Sequence, residues 1–528
     1  MHWRASAPPQ TSGETKMSSN AHTALIPRQR DLAPGGPPAA DAWDRPGDGD
    51  HEQRSLAARR QALGTLAWVL PSLLAGGLGF IRAPWPGQRA EELDLWAFVT
   101  RPWSEATRLL DGLDTTAPLY YLFLKGWSEL LGTSDFSLRL PSVIAMALAT
   151  AFAAKVGTGL ATPRVGFIAG LLFALLPTTS RFAQEIGPQA FIVFLAALTT
   201  AALVWLLQKP SAGRVVGYSA TVVLLGLISA PAMSLVVAHG VAVLAMRRRT
   251  FLGWLAGVIV ALVPVTATAI ALKSDLLDVG GGSVTALSEV TRLPEVLFGV
   301  PLVGGILIGL GLLSASMRKP GIVFTVWAVG TGAVLYFVSF LTPVWGVESL
   351  LLTLPAWALL SAMGLSHAPV FRGVVVAVVI TLLAVPEQVE IRQRDGHGLA
   401  GTEFAAVLAE NFKAGDVIVF GPTDRDGQIG RDLLARYVRV DKRPKDVLAV
   451  KAPRTDGRVF AEECADVAKC LGAAPRVWLF RAGATSTPLE GLPATKDGPL
   501  RTAYTVERSW QPAGLTLALF VPAATARR

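Results

Sequence analysis

Apolar residues fall into blocks separated by short turns of Pro, Gly and basic residues. The blocks lie at about 62–81, 140–160, 165–179, 190–207, 215–229, 232–246, 251–272, 296–316, 321–341, 350–365 and 374–385. A helix rises about 1.5 Å per residue, so a block of about twenty residues crosses an apolar layer of about 30 Å. The pattern predicts a polytopic α-helical membrane protein of about eleven spans. One more segment, 117–132, is short, carries Lys125 and Glu129 and is rich in aromatic side chains. It reads as a helix lying along the membrane surface.

The pattern changes on either side of the blocks. Residues 1–61 are rich in Pro, Gly, Asp and Arg without apolar periodicity, which predicts a disordered tail. From 386 to 528, short apolar runs at 416–420, 476–480 and 515–521 read as strands. Helical patterns at 401–412, 432–437 and 459–470 alternate with them, giving a small α/β domain. Its two cysteines, Cys464 and Cys470, would stand about 9 Å apart if one helix ran through both, and bridging needs about 7 Å or less. A disulfide therefore requires that helix to break.

Composition agrees with a membrane protein: 51% of the 528 residues are hydrophobic and 16% are charged. The net charge is +9, and nine basic residues stand in the turns between blocks, at Arg164, Lys209, Arg214, Arg247 to Arg249, Arg318, Lys319 and Arg372. With eleven spans all of these turns face one side, as the positive-inside rule requires of a cytoplasmic face. The segments 82–139, 180–189, 273–295 and 342–349 and the terminal domain then share the outer side of a plasma membrane. Charge so placed is a topology signal, and no nucleic-acid partner is expected. Zinc, Walker and nucleophile-elbow motifs are absent from the sequence. His239 falls inside a span and reads as a neutral imidazole bonded to a neighbouring helix. Gly280 to Gly282 form a flexible loop without the lysine of a phosphate cradle.

The chemistry-bearing residues gather in the outer segments. The first holds Glu91, Glu92 and Asp94, then Asp114 before Pro118-Leu119-Tyr120-Tyr121, with Lys125, Gly126-Trp127 and Arg139-Leu140-Pro141-Ser142 further on. This order resembles the first external loop of the GT-C membrane glycosyltransferases. The likeness is to the protein O-mannosyltransferase and aminoarabinose transferase branch (glycosyltransferase family 39-like), in its actinobacterial form. A second patch, Arg181 to Gln189, matches that family's Q-E-A-R-P-Y segment at Gln184, Glu185 and Pro188, with Gly187 and Gln189 in place of its Arg and Tyr. In a third, Glu348-Ser349 replaces an Arg-Tyr pair.

The resemblance implies transfer of a mannose- or arabinose-type sugar, with inversion, from a polyprenyl-phosphate donor in the bilayer to the hydroxyl of a glycan, lipid or protein acceptor. It places Glu91 as general base, with Glu92 and Asp94 beside it as candidate catalytic carboxylates. Asp114, Tyr120, Tyr121, Lys125, Arg139, Arg181, Gln184, Glu185 and Glu348 are candidate substrate contacts. Glu348 facing Glu91 could hold a divalent metal, bind an amine-bearing acceptor or meet solvent; the residues leave this open, and no cofactor is certain. Because three family positions differ, a GT-C-like protein that binds or assembles without transfer is the alternative. A transporter would show paired repeats with broken helices, and no clear repeat is present.

Overall fold

The computed structural model describes residues 48–110, 117–271, 287–342 and 344–523. Residues 1–47 of the predicted tail, Asp114 and the Gly280 to Gly282 loop lie outside these. The tail prediction is too long in one respect: α1 (Asp48–Phe80) is helical from Asp48, because Glu, Arg, Gln and Ala in its polar first part are themselves good helix formers.

The surface segments follow as α2 (Ala90–Val99), α3 (Trp103–Leu110) and α4 (Pro118–Leu131). At 14 residues α4 is about 21 Å long, and with Lys125 and Glu129 in it the helix is neither long nor apolar enough to cross. The bundle then runs through α5 (Asp135–Leu160), α6 (Pro163–Leu175), α7 (Pro177–Ala183), α8 (Gln189–Gln208), α9 (Ala212–Ile228), α10 (Ser234–Arg247) and α11 (Phe251–Ala271). Polar caps mark several starts: Ser134, Thr162 and Ser211 each accept a hydrogen bond from the backbone three residues on. Pro177 has no N–H to continue α6, and α7 leaves it at 67°.

After α12 (Leu287–Thr291) and α13 (Leu293–Phe298) come α14 (Pro301–Ser314), α15 (Gly321–Val338), α16 (Val347–Ser366) and α17 (Val370–Glu390). Among the described residues seven helical stretches pass the length and apolarity needed to cross a bilayer, or eight with the bent pair α6–α7. One of the seven, Pro231–Ala271, is 41 residues long and makes two passes. A straight helix would put Gly240 and Trp254 about 21 Å apart. Instead the Trp254 ring lies 2.9 Å from where a β-carbon on Gly240 would stand, so the chain reverses at the Arg248–Thr250 turn. With the shorter apolar helices α9 and α14, each of the eleven expected blocks has its helix.

The basic turns meet at one end of the bundle. Arg164 donates to the Ala368 carbonyl (2.8 Å), Lys319 to Met246 (2.7 Å) and Arg247 to Gln208 (3.4 Å). At the other end sit α2 to α4 and the terminal domain. His239 is a satisfied core residue, 3.1 Å from the Tyr218 hydroxyl and 3.2 Å from that of Thr200.

In the terminal domain, β1 (Val417–Gly421) pairs in parallel with β2 (Lys445–Asp446) and β5 (Val477–Ala482). Beyond β5 lie β7 (Leu515–Pro522) and then β6 (Tyr504–Trp510), both antiparallel. Helices α18 (Gly401–Asn411) and α19 (Asp424–Tyr437) cover one face. The helix expected at 459–470 is corrected: β4 (Glu462–Glu463) pairs with β3 (Ala449–Lys451), and helix resumes only at Val467–Leu471. That break lets Cys464 and Cys470 come within 6.7 Å between Cα atoms and form a disulfide.

This domain grips the segment between α1 and α5. Leu93 of α2, fully buried, belongs to the same core as Phe404, Leu408, Phe420 and Trp478. Buried Arg454 bridges Asp94 on α2 and Asp432 on α19, the latter at 2.9 Å. Arg436 reaches Asp135 at 2.8 Å, and the backbone N–H of Gln88 donates to the Tyr437 hydroxyl at 3.2 Å.

Candidate active site

A cleft of about 280 Å³ opens beside the start of α2, between α7, α13 and the C-terminal end of α17. Arg89, Arg181, Glu295 and Glu387 supply its charge, and Val347 borders it next to Glu348. Glu185 joins the two arginines from beneath: it is buried and accepts from Arg181 Nε (2.9 Å) and Arg89 Nη1 (3.3 Å). Burial works against the Arg89 charge. The fields of Glu185, Glu91, Glu348 and Glu92 outweigh it and hold the guanidinium above its usual range.

The acidic pair divides into two roles. Glu91, about half exposed on the first turn of α2, lies 3.7 Å from Arg89 and 3.5 Å from Arg425. Glu92 is buried, and both its oxygens are committed: they accept from the backbone N–H of Arg89 (2.8 Å) and of Ile186 (2.5 Å), with Arg139 at 3.6 Å. Burial pushes its pKa up to about 7, partly offset by Arg139. Glu92 thus ties α2 to the segment after α7, which is what sets Arg89 over Glu185.

Other sequence candidates are placed away from the cleft. Asp94 pairs with Arg454. Arg139 is fully buried and donates to the carbonyls of Ala83, Pro86 and Gly87 at 2.7–3.1 Å, folding the chain back after α1. Gln184 donates to Gly79 and Ile81. Lys125, also buried, donates to the Val99 carbonyl (3.0 Å) and pairs with Glu129. Tyr120 packs edge-on to Phe191 and Tyr121 to Phe98. Glu348 is the exception: exposed near the start of α16, it follows the cleft residue Val347 and its field reaches Arg89. At Gly187 the Gln189 carboxamide occupies the place of a β-carbon, so a larger residue would have to displace that side chain, and the positive charge beside the cleft comes from Arg181 and Arg89. Among the described residues no group of three or more His, Cys, Asp or Glu converges to hold a metal.

A second cavity, of about 450 Å³ and almost wholly apolar, adjoins the cleft across α13. Leu293 and Leu297, one turn apart, face it together with Ala333, Tyr336, Trp345 and Trp357, while Glu295 and Val296 face the cleft.

Residues 115–272 match the family model described as dolichyl-phosphate-mannose-protein mannosyltransferase. Among solved structures, the chain is similar to ArnT from Cupriavidus metallidurans bound to undecaprenyl phosphate, at 14% identity and a TM-score of 0.52. The apo form of the same protein gives 13% and 0.57, and both comparisons cover 85% of this chain and 97% of that one. This is a GT-C glycosyltransferase fold. Residues 62–390 alone make up less than two thirds of the chain, so the GT-C likeness extends into the terminal domain. No curated protein matches the chain.

Sequence reasoning passed over Arg89, Glu295 and Glu387, which line the cleft. Arg89 directly precedes the acidic pair, and Glu387 is an ionisable residue closing an apolar block; both were visible signals. Arg454 had none.

Proposed function

We propose that the protein transfers a sugar from a polyprenyl-phosphate donor to an acceptor hydroxyl at the outer face of the plasma membrane. The observation that carries this is the junction of an apolar cavity with a charged cleft across α13. A lipid-linked sugar needs that division: hydrocarbon in the apolar part and phosphate beside the two arginines of the charged part. The family match over residues 115–272 and the ArnT-like fold support it.

In this reading Arg89 and Arg181 face the donor phosphate. The acceptor oxygen attacks the anomeric carbon from the side opposite the phosphate, the carbon–oxygen bond to phosphate breaks, and the polyprenyl phosphate leaves with the electron pair. The arginines stabilise that growing negative charge. Glu91 takes the acceptor proton, since of the three carboxylates on α2 it alone is neither buried nor held by a buried arginine. Glu92 positions the loop. Mannose- or arabinose-type sugars are the first donors to test, and the basic turns favour a cytoplasmic N-terminus with the terminal domain outside.

Native mass spectrometry of the purified protein with a panel of polyprenyl-phosphate sugars tests this. Selective donor binding should survive Glu91→Gln and weaken about tenfold or more with Arg181→Ala, from loss of a charge-assisted contact of about 1.5–3 kcal/mol. An absence of selective binding in the wild type would instead favour a GT-C-fold protein without transfer activity.

A further inference from the structure

On the flank of the bundle, α1 and α17 turn apolar side chains outward, among them Leu70 and Leu73 of α1 and Val378 and Leu382 of α17. Their loop-side ends are joined where Arg392, just beyond α17, donates to the Leu78 carbonyl at 2.7 Å. Above that seam the chain leaves α1 through Arg82, whose φ of +57° is left-handed and turns the backbone away from the helix axis. Arg82 and Arg394 then both lie over the ring of Trp85, at 6.0 and 5.1 Å from its centroid. Trp85 is half exposed, as are Phe80 and Ile81 below it.

Two guanidiniums on one ring repel each other, and among the described residues neither has a carboxylate partner. Arg392 adds a third positive charge nearby. Its own donors go to Gln388 and Leu78, and burial, then the charge of Arg82, hold its pKa below the usual range. The cluster therefore gathers three guanidiniums, and among the described residues none of them is ion-paired to a carboxylate. It also stands just past the ends of two apolar helical stretches long enough to cross a bilayer, Gln61–Phe80 and Phe371–Glu390, and the ends of spans are where headgroup phosphates lie.

We propose that Arg82, Trp85 and Arg394 form a binding site for the phosphodiester headgroup of an anionic phospholipid. The two guanidiniums bind the phosphate, and the indole lies at the level of the ester groups. Phe80, Ile81 and the outward side chains of α17 receive the acyl chains. The site is separate from the cleft, none of whose lining residues it shares, and it does not depend on the proposed transfer reaction.

The test is native mass spectrometry of the full chain titrated with phosphatidylglycerol or phosphatidylcholine of identical acyl chains. The wild type should retain phosphatidylglycerol preferentially. The exposed pair Arg82→Gln/Arg394→Gln should lower that affinity about five- to thirty-fold and abolish the preference, at about 1 kcal/mol per arginine near the surface. Arg82→Lys/Arg394→Lys keeps the charge and should keep most of the preference, which separates charge recognition from a folding defect. Equal retention of both lipids by the wild type, or an undiminished preference in the glutamine pair, would overturn the site. Displacement of phosphatidylglycerol by inorganic phosphate would overturn its assignment to a lipid.

Discussion

Glu92 offers a quantitative test of how the first outer segment is held. Its carboxyl is buried and its pKa is raised from 4.5 to about 7. Folding therefore takes up a proton at this position between about pH 4.5 and 7, and the folded state holds more protons than the unfolded state across that window. The contribution of Glu92 thus favours folding most at the acid end and is lost as pH rises through about 7. A difference of about 2.5 pH units at about 1.4 kcal/mol each amounts to about 3–4 kcal/mol. Glu92→Gln removes the titration while leaving one oxygen to accept from Arg89 or Ile186. Thermal unfolding of the purified protein followed from pH 5 to 8, wild type against Glu92→Gln, isolates the group, because all other titrations appear in both curves. The wild type should lose stability relative to the variant as pH rises, with the crossover complete near pH 7 to 8. Parallel curves would refute the buried, proton-binding Glu92.

Leu93→Ala should destabilise the protein by about 2–5 kcal/mol, since a fully buried leucine is removed from the terminal domain's core. Limited proteolysis should then cut the domain and the 82–110 segment together, whereas cleavage of either one alone would mean that they do not share a core. Reduction of Cys464–Cys470 should cost about 2 kcal/mol by the chain-entropy relation for a six-residue loop. Differential scanning calorimetry with and without reductant should show a shift of the domain's transition while the bundle's transition stays in place.

The chain's hydropathy alone determined the membrane-spanning architecture, because each apolar block must pair its own backbone polar groups inside the bilayer and a helix does this locally. The start caps at Ser134, Thr162 and Ser211 were equally local, as was the requirement that the 459–470 helix break before its cysteines could join. Tertiary structure decided which carboxylates are available. Glu91, Glu92 and Asp94 stand within one turn of a helix and look equivalent in sequence. One is half exposed beside two arginines, one is buried on backbone N–H groups, and one is taken by Arg454 from a segment 360 residues away. The same holds for Arg139 and Arg181, both cations in outer segments: the first spends its donors on the turn after α1, while the second faces the cleft. Burial and partner choice are set by elements distant in the chain, and no local pattern of residues encodes them.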